Sequence, residues 1–312
     1  MQNKILIVDD IHEMFFEKLK QQNIAFDYRP EYTEQDVFNC IEPYVGLVIR
    51  SKFNIQADFF ERATELKFIA RAGAGVDNIN EQAAQDAGVV LINAPEGNRD
   101  AVGEHMIGML FNVLNNLNRG DREIRSGIWQ REENRGYELM GKTVGLIGYG
   151  NNGSAMAKKL SGFGVKVLAY DKYKKKYSDT YAEASTMEEL FREVDVLSIH
   201  VPLTAETSGL INEGFIKKFH KPFFLLMGAR GGIMDMAAIC RALDDKKILG
   251  AAFDVLPIER FPGLAEASWF QNLKERENVI FSPHVAGWTF ESYVKIAEVL
   301  TEKIISFFQK CK

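Results

Sequence analysis

The chain has 312 residues, 46% of them hydrophobic and 26% charged, with a formal net charge of −5. That length favours two domains, the composition is that of a globular protein, and the acidic balance argues against a broad nucleic-acid-binding face. No stretch reaches the roughly 18 consecutive apolar residues of a membrane span. Cys40, Cys240 and Cys311 are too dispersed for a disulfide framework, and the five histidines lack metal-ligand spacing, so reduced thiols, no metal and a cytoplasmic location are expected.

The N-terminus enters a strand-like KILIVDD directly, without the apolar length of a signal peptide. Residues 1–99 then alternate. Strands are expected over 5–8, 24–28, 47–49, 66–70 and 89–92, and helices over 12–21, 34–41, 57–63 and 81–87. This pattern implies an α/β unit with a parallel sheet. Residues 93–98, NAPEGN, read as a break. A helix is expected from Asp100, an N-cap type, to about residue 118. Its apolar residues, Met106, Met109, Leu110, Val113, Leu114 and Leu117, recur at three-to-four spacing. The stripe suits a core, and is apolar enough for a dimer interface. A charged segment, 119–135, follows.

Residues 142–171, KTVGLIGYGNNGSAMAKKLSGFGVKVLAYD, read as strand, tight turn, helix, strand. Val144, Leu146 and Ile147 form a buried-strand run. Gly148-Tyr149-Gly150-Asn151-Asn152-Gly153 matches G-x-G-x-x-G, in which Gly150 lets a pyrophosphate approach the backbone at a helix N-terminus. Asp171, 21 residues beyond Gly150, ends the next strand, where an acid binds the adenosine ribose hydroxyls and repels a 2′-phosphate. The stretch therefore predicts dinucleotide binding with NAD preferred over NADP. Lys172, Lys174, Lys175 and Lys176 read as a solvated loop. Beyond residue 194, strands are expected over 195–200, 223–227, 248–253 and 279–281, and helices over 212–218, 236–243 and 290–308. Residues 100–285 thus form a complete doubly wound domain inserted into the first unit.

Arg230, Glu259 and His284 each follow a strand, beside Gly or Pro turns, in ARGGIMD, DVLPIE and SPHVAG. Ligands of open parallel sheets bind at the carboxyl ends of strands, so the three converge on one edge. Oxidation of a secondary alcohol by hydride transfer needs a base, and histidine titrates near neutrality. A carboxylate beside it raises its pKa, and a guanidinium holds a substrate carboxylate bidentately.

With GYGNNG, ARGGIMD, DVLPIE and SPHVAG, the chain resembles the D-isomer-specific 2-hydroxyacid dehydrogenase family nearly end to end. The resemblance implies a Rossmann cofactor domain over 100–285, inserted into a flavodoxin-like substrate domain of 1–99 and 286–312, with a dimer formed through the cofactor domain. It implies that Arg230 binds substrate, Glu259 pairs with His284 and His284 is the acid/base. Asp254 would meet the nicotinamide carboxamide, and His200, Val201 and Pro202 the adenine and ribose. Tyr149, Asn151, Asn152, Thr207, Ala229 and Gly287 complete the implied NAD contacts. Arg50-Ser51-Lys52 and ARAGAGVDN (70–78) resemble the family's phosphoglycerate dehydrogenase branch most. Arg50, Ser51, Arg71, Ala74 and Gly75 are then the substrate-binding candidates. The turn at Ala74, Gly75 and Val76 would offer N–H groups to a carboxylate, and the two arginines would reach a phosphate.

The chain departs from the family pattern at Met227, where Asn is frequent, and at Asn152, where an apolar residue is usual. These positions bear on cofactor geometry, not on reaction class. Because the sequence stops after the last predicted helix, a C-terminal regulatory domain and serine feedback through it are not expected. The leading expectation is NAD-dependent oxidation of 3-phosphoglycerate to 3-phosphohydroxypyruvate. The alternatives are a reductase of glyoxylate, hydroxypyruvate or another 2-keto acid, and an NAD-sensing, corepressor-like binding protein.

Overall fold

The computed structural model describes residues 4–310, so Cys311 lies outside the described residues. The chain divides into two units, Met1–Asn98 with Trp288–Lys312, and Arg99–Gly287.

The first unit holds β1 (Lys4–Ile7), β2 (Ala25–Tyr28), β3 (Gly46–Ile49), β4 (Phe68–Arg71) and β5 (Val90–Asn93), all parallel, in the order β2-β1-β3-β4-β5. This is the flavodoxin-like order. The central strands are apolar over residues 5–7, 46–49 and 68–70 because both faces are covered there, and successive side chains enter opposite cores, whereas the edge strands β2 and β5 are only partly buried. Leu6, Leu47, Ile49 and Ile69 pack with Val37, Phe59, Phe60 and Ala84 of the helices Glu34–Cys40, Ala57–Arg62 and Glu81–Asp86. Ile5, Ile7, Val48 and Phe68 pack on the other face with Phe15 and Leu19 of the helix Glu13–Gln21. Ile296, Ala297, Leu300 and Ile304 of the final helix, Phe290–Lys310, join them.

The second unit holds β6 (Thr143–Ile147), β7 (Lys166–Tyr170), β8 (Glu183–Ala184), β9 (Val196–Ile199), β10 (Phe223–Met227), β11 (Ile248–Phe253) and β12 (Val279–Phe281). The order is β12-β11-β10-β9-β6-β7-β8. The chain reverses direction across the sheet between β6 and β9, which is the switch point where a doubly wound sheet opens a ligand crevice. Both sheets are doubly wound and parallel, as expected. Among the described residues no helix is long and apolar enough to cross a membrane, and no group of three or more His, Cys, Asp or Glu is placed to hold a metal.

Three local expectations need correction. The helix expected from Asp100 is Pro95–Asn115. The apparent break is its first turn, since proline is tolerated where the N–H has no intrahelical partner. Asp100 is not a cap, and its carboxylate faces Lys159 at 3.3 Å. The charged segment contains a second helix, Leu117–Arg125, entered through a left-handed Asn116 with φ of 52°. It is supported by Arg119–Glu123 and Asp121–Arg125 pairs at 2.9 and 2.8 Å. Finally, Met106, Met109, Leu110, Val113 and Leu114 are buried in their own unit against Val144, Leu146 and Leu226, so these five are core, whereas Leu117, the last residue of the expected stripe, starts the next helix and is exposed.

Candidate active site

The glycine turn builds the first half of the site. Gly148 has φ of 94°, and a Cβ there would stand 2.7 Å from the His200 carbonyl oxygen. A Cβ on Gly153 would stand 2.1 Å from the Gly148 carbonyl oxygen, so the helix Asn151–Leu160 lies hard against the turn. That helix has no side-chain cap at Gly150, and the space beside Gly150 is open. Its first N–H groups are thus left for an anion.

Asp171 is aimed by three backbone donors. Tyr149 N–H reaches Oδ2 at 2.9 Å, and the N–H groups of Tyr173 and Lys174 reach Oδ1 at 3.1 Å. The Asn152 Oδ1 and His200 Nδ1 atoms are buried with no hydrogen-bond partner. His200 Nε2 lies 2.9 Å from Ser198 Oγ, and burial pushes its ring pKa down to about 4, so it is neutral at physiological pH. The uncapped helix, the open glycine, the oriented carboxylate and these orphaned atoms fit a dinucleotide.

A cavity of about 520 Å³ opens here, and of the expected cofactor residues Gly150, Asp171, His200, Val201, Pro202 and Thr207 line it. Tyr149, Asn151, Asn152, Ala229, Asp254 and Gly287 do not. Tyr149 is buried, and its hydroxyl donates to Asp179, whose carboxylate holds the Tyr149 pKa well above its ordinary value together with the larger effect of burial. Sequence reasoning missed Met187, Phe191, Leu210 and Phe215, the apolar wall. Thr186 and Glu189 form a capping box that starts the helix Met187–Glu193. That signature, followed by Met187 and Phe191 four residues apart, was the available signal.

The second half lies at the ends of β10, β11 and β12. Arg230 follows β10, and its Nη1 donates to the Ala229 carbonyl at 2.7 Å. Glu259 follows β11, His284 follows β12, and His284 Nδ1 stands 2.9 Å from Glu259 Oε2. Burial pushes the Glu259 carboxyl up, but the His284 hydrogen bond and charge, the Leu256 backbone and Arg230 together outweigh it and hold its pKa below the usual value. The three predicted residues are therefore gathered at one edge of the sheet.

The His284 loop has an anchor that periodicity did not show. His284 sits at φ of 55°, a left-handed conformation uncommon for a non-glycine residue. Asp254, 2% exposed, holds it. Its Oδ1 accepts from Ser282 Oγ at 2.6 Å and Val285 N–H at 2.9 Å, and its Oδ2 from Ala286 N–H at 3.0 Å. The Asp254 carbonyl also accepts from His284 N–H at 2.8 Å. His105 Nε2 completes the cluster, 2.9 Å from Ser282 Oγ. A carboxylate has about four lone-pair sites, so Asp254 keeps about one for any cofactor contact.

In the first unit, Arg50 and Arg71 end at the carboxyl edge, after β3 and on β4. Asp9 Oδ2 accepts the Arg50 N–H at 2.6 Å, and the Arg50 guanidinium carbon lies 4.1 Å from the centroid of the Trp288 ring. The Arg71 guanidinium covers Gly73, where a Cβ would fall 1.6 Å from Nη1. Ser51 is exposed next to Arg50. Asn93 Nδ2 donates to the Ala74 carbonyl at 2.6 Å, bracing the turn that carries Gly75.

Comparison with known proteins agrees with this architecture. Residues 107–286 match the family described as D-isomer specific 2-hydroxyacid dehydrogenase, NAD binding domain. The chain is 32% identical over 305 residues to D-3-phosphoglycerate dehydrogenase of Archaeoglobus fulgidus, covering 97% of this chain and 57% of that protein. It is 36% identical over 275 residues to hydroxypyruvate reductase of Thermotoga maritima, covering 88% of each. The solved D-lactate dehydrogenase of Aquifex aeolicus, complexed with NAD and lactic acid, superposes with a TM-score of 0.83 at 25% identity, covering 99% of this chain and 96% of that one. The chain spans little more than half the length of the phosphoglycerate dehydrogenases it matches. On the match over residues 107–286, and on 32% identity across nearly its whole length, the chain belongs to the D-isomer specific 2-hydroxyacid dehydrogenase family and carries that family's NAD-binding domain.

Proposed function

We propose that the protein oxidises a D-2-hydroxy acid with NAD, and that this acid is 3-phosphoglycerate, yielding 3-phosphohydroxypyruvate. The observation that carries the reaction class is the 2.9 Å His284–Glu259 pair. Bound NAD supplies the hydride acceptor. Neutral His284 takes the substrate hydroxyl proton through the ring nitrogen that does not face Glu259, and Glu259 stabilises the imidazolium so formed. Arg230 holds the substrate carboxylate and the oxygen that becomes the carbonyl. In the reverse direction the charged His284 returns the proton.

The phosphate reading rests on Arg50 and Arg71, two guanidinium groups at strand ends of the first unit, and on the phosphoglycerate dehydrogenases among the similar proteins. Arg71→Ala is expected to lower kcat/KM for 3-phosphoglycerate at least tenfold more than for D-glycerate, because a charged hydrogen bond contributes about 1.5–3 kcal/mol. Equal losses on both substrates would remove the phosphate assignment. A second reading, reduction of an unphosphorylated 2-keto acid, is favoured by the Thermotoga maritima match, which spans 88% of both chains. A panel of D-2-hydroxy acids and keto acids, followed by NADH fluorescence, separates the two. NADH binding without turnover of any member would instead identify an NAD-sensing protein.

We also propose that the second unit pairs with another copy of the chain. Leu117, Ile124, Ile128, Trp129, Tyr137 and Met140 are exposed, Trp129 by 82% and Met140 by 75%, within 24 residues of sequence. Such a concentration of exposed apolar side chains marks an interaction surface. Light scattering should give twice the chain mass for the wild type and a single chain mass for Trp129→Glu/Met140→Glu. A monomeric wild type would refute the pairing.

A further inference from the structure

Asp171 is not the only carboxylate at the ribose end of the cofactor pocket. Lys172 follows it directly and lines the same cavity, so its ammonium is the cation placed to meet a phosphate beside Asp171. That ammonium is already engaged. Lys172 Nζ pairs with Glu206 Oε1, and the Tyr173 hydroxyl donates to Glu206 Oε2 at 2.7 Å. Glu206 lies 34 residues further along the chain and also lines the cavity. Lys174 is directed elsewhere, to the Tyr149 carbonyl oxygen. Glu188 and Lys218 also line the cavity, and the Lys218 ammonium lies over the Phe191 ring, 5.5 Å from its centroid. The Lys172 hydrogen bond holds the Glu206 carboxyl below its usual range, and the same bond raises the Lys172 ammonium, so both are charged near neutrality.

We propose that Glu206 is a specificity-determining residue that enforces NAD over NADP by occupying Lys172 and adding a second negative charge beside Asp171. The local charge of Asp171, Lys172 and Glu206 is −1, which repels a 2′-phosphate while leaving ribose hydroxyls with an acceptor. Replacing Glu206 by glutamine brings that sum to zero and releases the lysine. A 2′-hydroxyl carries no charge and gains nothing from the change, so the two cofactors respond differently.

The test is calorimetric titration of NADH and NADPH into the full chain at low salt, with no hydroxy acid present, so its outcome is independent of the substrate proposed above. Glu206→Gln should tighten NADPH about tenfold, the scale of one exposed unit charge acting on a phosphate a few ångströms away, and should change NADH by less than about twofold. Adding Lys172→Ala to Glu206→Gln should abolish the gain, whereas Lys172→Ala alone, which takes the local sum to −2, should weaken NADPH. Asp171→Ala, which removes the first carboxylate, sets the reference for the size of the effect. Glu206 is exposed, so the variant should keep the wild-type Tm, and Glu206→Ala repeats the measurement with a second side chain. Unchanged NADPH binding in both Glu206 variants would overturn the proposal. So would an equal shift for the two cofactors, which would make Glu206 a general clasp on the adenosine. NADPH binding as tight in the double variant as in Glu206→Gln alone would also overturn it, because the released lysine would then meet no phosphate.

Discussion

His284→Ala is expected to lower turnover by about 10²–10⁴-fold, the usual contribution of a positioned acid/base, and to leave NADH affinity close to wild type. The separation follows from placement. His284 follows β12 at one end of the sheet order, whereas the glycine turn and Asp171 follow β6 and β7 towards the other. Glu259→Gln isolates the charge from the hydrogen bond. Glu259 is held below its ordinary pKa mainly because the interaction with His284 outweighs the opposing effect of burial. Its negative charge, 2.9 Å from the His284 ring, stabilises the imidazolium in turn. Oxidation requires neutral His284 as the proton acceptor. Removing the charge makes protonation of the ring less favourable, so the acid limb of kcat/KM for oxidation should move to lower pH. Superimposed profiles for wild type and Glu259→Gln would show that the two residues do not act together, even if His284 alone proves essential.

Asp254→Ala should cost both stability and turnover. The variant strands the Val285 and Ala286 N–H groups, now satisfied by one buried carboxylate, and leaves the Ser282 hydroxyl to His105. A buried donor left unsatisfied costs about 1–3 kcal/mol, so a loss of about 2–4 kcal/mol is expected after partial rehydration. For a unit of this size that lowers Tm by roughly 4–16 °C. Turnover should fall further than the folded fraction accounts for, because the same bonds hold His284 in its left-handed conformation. Asp254→Asn keeps the volume but presents an amide nitrogen to one of the N–H donors, so it should show a smaller fall in Tm with a comparable loss of kcat. A Tm within a degree of wild type for Asp254→Ala, together with unchanged kcat, would mean that the loop keeps its shape without this anchor.

Much of the architecture was legible because a two-face-covered parallel sheet writes itself as short apolar runs. Phe223–Met227, Ile248–Phe253 and Val279–Phe281 are such runs, and the strands occupy those same residues. The order of strands was accessible only as a consequence of alternation. Element starts were less legible. Pro95 and Gly97 look like breakers, yet they lie in the first turn of a 21-residue helix, held there in part by Glu96 paired with Lys303 at 2.8 Å. No local signal reports a partner some 200 residues away.

The amino-acid sequence by itself determined the dinucleotide turn, the acid at the end of the next strand, and the presence of Arg230, Glu259 and His284 just beyond strand ends. These depend on backbone freedom at glycine and on chemistry at fixed local offsets, both of which are sequence-local properties. Only the tertiary structure decided that Glu259 and His284 meet. Parallel pairing of Ala252 with Ile280 and Phe253 with Phe281 brings the ends of β11 and β12 to one level, and the loops that follow can then close to 2.9 Å. It likewise decided that Asp254 anchors the loop carrying His284 rather than simply facing a ligand, and that Glu206 reaches Lys172. Those contacts link residues about 30 apart in the chain, and their energy depends on register and burial, which no window of local sequence contains.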